Sequence, residues 1–350
     1  MSQKNFYKPV YQTTRGETVE SVHFGAIAIV NSQGDLIASY GDIETLTFMR
    51  SSAKPFQALP FVEKGGHKTF NLTPKEIALI CASHSGTDEH YRTLHLLQKK
   101  IGVTQAALLC GTHYPIHKPT VNLMADRGES PTPNRHNCSG KHTGMLAHAK
   151  LENASLENYT DPEHPIQQNI LQTLSEMSSL DVNEIKLGID GCSVPSFAIP
   201  MYNAALAWAK LVDPGRLTSK RAKACGIITS AMTAHPNMVA GPGRLDTRLM
   251  EITHGKILSK AGAEAYQGIG IPAGELGPNS QALGIAIKIS DGDTRRRAKE
   301  AVVIETLRQL NALTEDELTA LKEFGPTQTI RNWRKLVVGQ GTPCFTLNFK

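Results

Sequence analysis

No apolar run in the sequence approaches membrane-spanning length, and Met1-Ser2-Gln3-Lys4-Asn5 contains no apolar export region. A membrane protein is excluded on this reading, and the cytoplasm is the expected compartment. Cysteine is scarce. Six residues (81, 110, 138, 192, 225 and 344) in 350 are too few for a disulfide scaffold, so in a reducing compartment they are free thiols or metal ligands. Charge of one sign is also limited. The formal charge is +5, and the basic residues are scattered apart from Arg295-Arg296-Arg297, a run that precedes an amphipathic helical pattern and reads as a solvated helix start. Nothing resembles a basic stripe with interleaved aromatics, so nucleic acid is not an expected partner. A Gly-rich phosphate loop is missing, because Gly241-Pro242-Gly243 contains a proline and follows no clear strand. The thirteen histidines show no H-x-x-x-H pairing at Asp/Glu-flanked helix positions. There is no internal repeat, low-complexity tract or clear linker. What remains is a composition of 40% hydrophobic and 20% charged residues, that of a soluble globular protein with enough chain for a substantial core.

The stretch from Thr47 to Phe56 organises the rest. A β-prone run (Thr45 to Phe48) passes into an apolar segment, Pro55 to Val62, that reads as a helix. Ser51 and Lys54 are three residues apart, so on a first helical turn they share a face. A serine hydroxyl becomes a nucleophile when a base takes its proton, and a neutral lysine can be that base. The helix start adds free N–H groups and partial positive charge for a developing oxyanion. The same residues also suit a plain N-cap followed by a solvated lysine.

Before this stretch, Val22–Val30 and Leu36–Tyr40 flank turn chemistry and read as a β-hairpin. After it, Thr73-Pro74-Lys75-Glu76 signals a helix start. The run ends in Cys81-Ala82-Ser83-His84-Ser85-Gly86, small residues suited to an active-site loop. Helix resumes around Glu89 to Lys100, and Gly111 to Pro133 reads as a long ordered loop. Asn134 to Leu146 turns into a helix ending near Leu151, and Pro165 to Ser178 forms the next. Ile185–Ile189 is strand-like and delivers Asp190-Gly191-Cys192-Ser193-Val194-Pro195. Helical patterns occupy about 200–212, 216–234 and 243–254. Lys260 to Glu264 leads into a strand at Ala265 to Gly268, and Leu283 to Ile289 is another. Helices at 293–312 and 315–323 precede a final strand, Arg334 to Gly339. Strands at both ends and helices between them predict one α+β domain over residues 1–350, an antiparallel sheet flanked by helices with a helical insertion.

Several residues carry two readings. Cys138 and Cys192 can begin a zinc site, with His136 and His142 near, or they can be buried structural thiols; Lys141 as a ligand is chemically open, but sequence alone would not propose it. Asp190 can bind an amino or guanidinium group or cap a turn, and Ser83 can be a second site hydroxyl or a turn residue. Lys260 alone reads as a surface lysine.

The Ser-x-x-Lys and the later Lys-x-Gly resemble the serine β-lactamase and penicillin-binding-protein plan. Four blocks fit a narrower group: Arg50-Ser51-Ser52-Ala53-Lys54-Pro55-Phe56-Gln57, Cys81 to Gly86, His136-Asn137-Cys138-Ser139-Gly140-Lys141-His142, and Asp190 to Pro195. In that order they resemble the Rhizobium etli-type L-asparaginase family over nearly the whole chain. The resemblance implies a β-lactamase-like fold and hydrolysis of L-asparagine to L-aspartate and ammonia. It implies Ser51 as nucleophile with Lys54 as base, and Ser83 with Lys260 as a second Ser–Lys pair. It further implies zinc held by Cys138, Lys141 and Cys192, with Arg50 and Asp190 near the substrate and His142 grouped with them. A homodimer is the oligomer it suggests. Ala261 stands where the β-lactamase motif has threonine, and Lys288 competes with Lys260 as the second lysine. Asparagine and glutamine differ by one methylene, worth about 1–3 kcal/mol in a pocket, so glutamine remains a possible side substrate.

Overall fold

A computed structural model describes residues 6–350, so the export-signal reading of Met1 to Asn5 lies outside the described residues. The chain separates into two compact units. One contains the chain up to Ser52, Ile199–Asp213 and Ile252–Lys350; the other contains Ala53–Ala198 and Pro214–Glu251.

The first unit is built on an antiparallel sheet of nine strands among the described residues. From one end its order is Gln328–Arg331, Val337–Pro343, Lys8–Arg15, Thr18–Asn31, Leu283–Ile289, Tyr266–Ile271 and Leu258–Gly262. Thr18–Asn31 is long enough to be shared. Its first half pairs with Lys8–Arg15, and its second half pairs with Leu36–Tyr40 on one side and Leu283–Ile289 on the other. That second half is buried from Gly25 to Asn31, a continuous run suited to a strand covered on both faces. Helix Met201–Val212, with Trp208 fully buried, supplies apolar cover to three of these strands. Helix Lys299–Gln309 is capped from a distance: the Asp293 carboxylate accepts the N–H groups of Arg297, Ala298 and Lys299. These donors lie at and just before the helix start, where no preceding turn supplies a carbonyl.

The hairpin expected over 22–40 is present, but its first strand starts four residues earlier, and Lys8–Arg15 was not foreseen. The expected final strand, Arg334 to Gly339, is instead the turn and start of a hairpin, Gln328–Arg331 with Val337–Pro343. Lys260 precedes a strand as expected, Tyr266–Ile271, but it also lies inside a strand of its own, the end strand Leu258–Gly262, where it pairs with Gly268. The surface reading of Lys260 is overturned too, since it is 0% exposed.

The second unit is mainly helical. Its starts follow local chemistry: Thr73 with Glu76 and Thr87 with His90 form capping boxes, and Thr218 accepts the Arg221 N–H. Gly102, at φ +71°, ends helix Asp88–Ile101 in the left-handed conformation that glycine adopts without a Cβ penalty. Helix Ser139–Leu151 is buried along its first eleven residues, and strands Lys186–Ile189 and Pro195–Pro200 form a hairpin. The loop expected over 111–133 contains a helix, Lys118–Asp126. Pro119 at its second position starts rather than breaks it, because a missing N–H costs nothing in the first turn. Among the described residues, no helix is long and apolar enough to cross a membrane.

Candidate active site

Lys54 opens helix Lys54–Glu63 and is 1% exposed. Its Nζ donates to Ala82 O at 2.7 Å, Ser83 Oγ at 2.8 Å and Cys138 Sγ at 3.3 Å. Nζ thus has polar partners in three directions, which is how a buried amine becomes tolerable. Ser83 is held from its own backbone, whose N–H donates to Val239 O. The next residue, His84, accepts the Gly86 N–H on Nδ1, so its Nε2 proton faces Ser139 Oγ at 2.9 Å. Burial, then the neighbouring His90, Lys54, His136 and His113, hold His84 far below the ordinary histidine pKa, as a neutral ring. His84 therefore ties the Ser83 loop to the segment carrying Cys138.

Cys138 and Cys192 share a proton unequally. A hydrogen bond from Cys192 opposes the burial penalty and, with Lys54 and Lys141, lowers the Cys138 thiol far below its ordinary value. The same hydrogen bond and burial raise Cys192. Lys141 Nζ donates to Cys192 Sγ at 2.9 Å. Burial works against its charge, yet the Cys192 and Cys138 sulfurs and the Asp190 carboxylate carry its pKa above the ordinary lysine value. His142, pushed down to about 4 by burial, receives the Tyr159 hydroxyl on Nδ1 at 2.6 Å, and that hydroxyl accepts the Leu109 N–H. The neutral ring proton is left on Nε2, buried and without hydrogen-bond geometry to any acceptor, although Cys192 is near enough to pull the pKa partly back.

Gly140 lets this helix sit where it does. A Cβ there would fall 2.1 Å from the Leu79 carbonyl oxygen, a backbone atom at the end of helix Pro74–Ile80. Gly140→Ala is expected to cost about 1–3 kcal/mol of stability in urea unfolding, as overpacking does. An unchanged midpoint would show that the two helices part without strain.

The other candidates belong to the sheet unit. Arg50 and Ser51, both half-buried, lie in the 3-10 turn Arg50–Ala53, and Arg50 takes a left-handed φ of +52°. Gly262 permits a close approach here, since a Cβ on it would meet Met49 O at 2.5 Å. Lys260 Nζ donates to Ala261 O at 2.8 Å, and Lys288 Nζ donates to Glu264 O. Burial lowers the Lys288 pKa, Arg50 pushes the same way, and Glu264 and Asp291 oppose both.

The helical unit therefore brings together Lys54, Ser83, Cys138, Lys141, His142 and Cys192, with the half-buried Asp190 in electrostatic reach of Lys141. Sequence reasoning missed Tyr159 and His84 as orienting groups. His84 stood inside a block already singled out; Tyr159 carries no local signal. Among the described residues, no three of His, Cys, Asp and Glu are gathered as metal ligands, so a metal here needs the Lys141 amine as third donor. The donor chemistry fits zinc: two sulfurs and an amine, each of which would give up its proton to a divalent cation.

The profile of a family described as L-asparaginase II matches residues 11–343. Among curated proteins nothing matches. Among solved structures, a probable glutaminase from Bacillus subtilis complexed with 6-diazo-5-oxo-L-norleucine is 12% identical, with 82% of this chain and 84% of that one covered at a TM-score of 0.40. The native form of Mglu is 14% identical, with 84% and 66% covered at a TM-score of 0.42.

Proposed function

The chain belongs to the L-asparaginase II family and is an amidohydrolase, and we propose that it hydrolyses the side-chain amide of L-asparagine through a serine acyl-enzyme. The observation that carries the Ser–Lys reading is the buried Lys54 amine, in hydrogen-bond contact with Ser83. In the proposed mechanism Ser51 attacks the amide carbon while Lys54 takes its proton. As a neutral amine Lys54 keeps two N–H bonds, enough for Ala82 O and Ser83 Oγ, and one lone pair to act as base. When the tetrahedral intermediate collapses, the C–N bond breaks and a proton passes from Lys54 through Ser83 to the leaving ammonia. Water then adds to the ester, Ser51 recovers its proton, and L-aspartate leaves. Lys260 is proposed as the second lysine, with Lys288 as its competitor.

Arg50 suits the substrate α-carboxylate and Asp190 its α-ammonium. The buried Nε2–H of His142 offers a further donor to the substrate. The same reading includes a serine β-lactamase-like architecture, one catalytic domain, a homodimer and a cytoplasmic location. Light scattering on the purified protein tests the dimer.

Zinc, if bound, would be held by Cys138, Lys141 and Cys192 and would supply fixed positive charge. A Ser–Lys reaction needs no metal hydroxide, so a positioning role follows. Removing metal with a chelator is expected to lower the melting temperature and raise KM, with kcat within a few-fold. Metal content and melting are followed beside turnover. Loss of kcat at constant KM would overturn the positioning role.

The deciding experiment is ammonia release from L-asparagine and L-glutamine by the purified protein. A kcat/KM for asparagine larger by about 10–200-fold is expected from one methylene in a shaped pocket. A preference for glutamine would replace the substrate, and release from neither would sink the proposal.

A further inference from the structure

A cleft of about 430 Å³ lies in the helical unit, and none of Lys54, Ser83, Cys138, Lys141 or Cys192 lines it. It is lined by Asp88, Tyr91 and Arg92 of helix Asp88–Ile101 and by Arg127, Glu129 and Arg135. Its volume is within the range of small-molecule sites. We propose that this cleft is a second binding site, selective for a small α-amino dicarboxylate such as L-aspartate.

The charges select the ligand class. Three guanidiniums face two carboxylates, leaving one positive charge for a ligand to neutralise. Arg135 is the fixed member. It is 5% exposed, donates to Gly86 O at 2.9 Å and Asp88 Oδ1 at 2.7 Å, and lies over the Tyr91 ring at 4.6 Å. Arg127 is the exchangeable member. It pairs with Asp88 at 3.0 Å and Glu129 at 2.7 Å, but all three side chains are substantially exposed, and such pairs are worth about 0–1 kcal/mol. Arg92 donates through Nε to the Asp88 carbonyl at 3.2 Å, and no carboxylate among the described residues forms an ion pair with it.

A ligand with two carboxylates and one ammonium has the complementary set. One carboxylate pairs with the open end of Arg92, the other takes Arg127 from Glu129, and Glu129, whose Oε2 stays 3.6 Å from Arg135, receives the ammonium on the vacated Oε1. Arg–carboxylate pairing of this kind is planar and bidentate, so a ligand with one carboxylate loses half of it. A succinate-like dicarboxylate leaves that Glu129 oxygen without a partner, and inorganic phosphate cannot span both arginines and supply a cation. The choice of L-aspartate as the physiological ligand rests on the proposed reaction, of which it is the product. The existence of the site does not.

Titration calorimetry with L-aspartate on the full chain tests this, beside Arg92→Gln/Arg127→Gln. The parent is expected to show two binding events per chain, and the double variant one, with the lost event weakened at least ten-fold. Succinate and inorganic phosphate are expected to bind the cleft at least ten-fold more weakly than L-aspartate. A thermal melt checks that the double variant folds; Arg92→Glu, on an exposed helix position, serves if it does not. Identical isotherms for parent and variant would overturn the site, and phosphate binding as tightly as L-aspartate would overturn the ligand class. If the chain proves not to hydrolyse asparagine, the parent would show a single event that the variant loses. That result would sink the reaction and leave the cleft standing.

Discussion

Ser51→Ala is expected to lower ammonia release from L-asparagine by at least about 10³-fold, the scale on which nucleophile removal acts in serine hydrolases. Stability should change little, because Ser51 is half-buried in a 3-10 turn and the substitution removes only one hydroxyl. The comparison that gives this meaning is Ser83→Ala. Ser83 Oγ is the hydroxyl 2.8 Å from Lys54 Nζ, so the geometry also makes it a chemically competent rival. In the proposed mechanism Ser83 relays a proton, and its loss should cost about 10²–10⁴-fold, the usual range for proton transfer. Trapping the acyl-enzyme and mapping the modified peptide separates the two serines. Modification at Ser83, with turnover retained in Ser51→Ala, would move the nucleophile 32 residues along the chain.

Acid should unfold the protein well before its carboxylates titrate. Burial pushes both His90 and His148 down to about 4. Neither ring nitrogen of His148 has a hydrogen-bond partner, so protonation there places a charge in an apolar setting. At His90 the damage is structural as well. Nδ1 accepts the Thr87 N–H, closing the capping box of helix Asp88–Ile101, and Nε2 faces Asn237 O at 2.8 Å. Protonation removes the Nδ1 lone pair that this cap requires.

The folded-state pKa is below the unfolded one, so the unfolded chain takes the proton first. The contribution is whole above about pH 6.5 and is lost as pH falls toward 4, each histidine giving up about 3 kcal/mol over that window. Two such losses match a large part of a typical domain's stability. Asp88 and Glu89 act in the same direction but lower on the scale. Ion pairs and hydrogen bonds with arginine or lysine lower their pKa values, so their share is lost only once carboxylates protonate. Urea unfolding at pH 7.5, 5.5 and 4.5 measures the slope. His148→Leu is expected to flatten it by roughly a fifth, because burial holds His84, His136 and His142 low as well, and equal stability at pH 7.5 and 5.5 would sink the account.

Local chemistry was legible in the sequence where the physics is local. The Thr73-Pro74-Lys75-Glu76 signal became a capping box and a helix because both partners are three residues apart. Helix Pro165–Ser178 was readable from the start signal Asp161-Pro162-Glu163-His164, and His164 is its N-cap. Lys118–Asp126 was not, because Pro119 and its polar residues hide a single amphipathic turn pattern behind loop composition. The four blocks that carry the family resemblance were also written in order along the chain, and the family match spans them.

Tertiary structure alone decided which of these residues touch. Lys54 meets Ser83 and Cys138 across 29 and 84 positions, and Lys141 meets Cys192 across 51. No periodicity encodes such contacts, because they depend on how whole helices pack. Lys8–Arg15 pairs with Val337–Pro343 across more than 300 residues, and a short strand shows its partner only when both faces of a sheet are assembled. The burial of Lys260 has the same origin. As a lone lysine it reads as surface; inside the end strand Leu258–Gly262, packed by its neighbours, it becomes a group whose charge the protein must manage. Sequence therefore determined the candidate groups and their order. The fold determined their partners, and through those partners which imidazole stays neutral and which lysine keeps its charge.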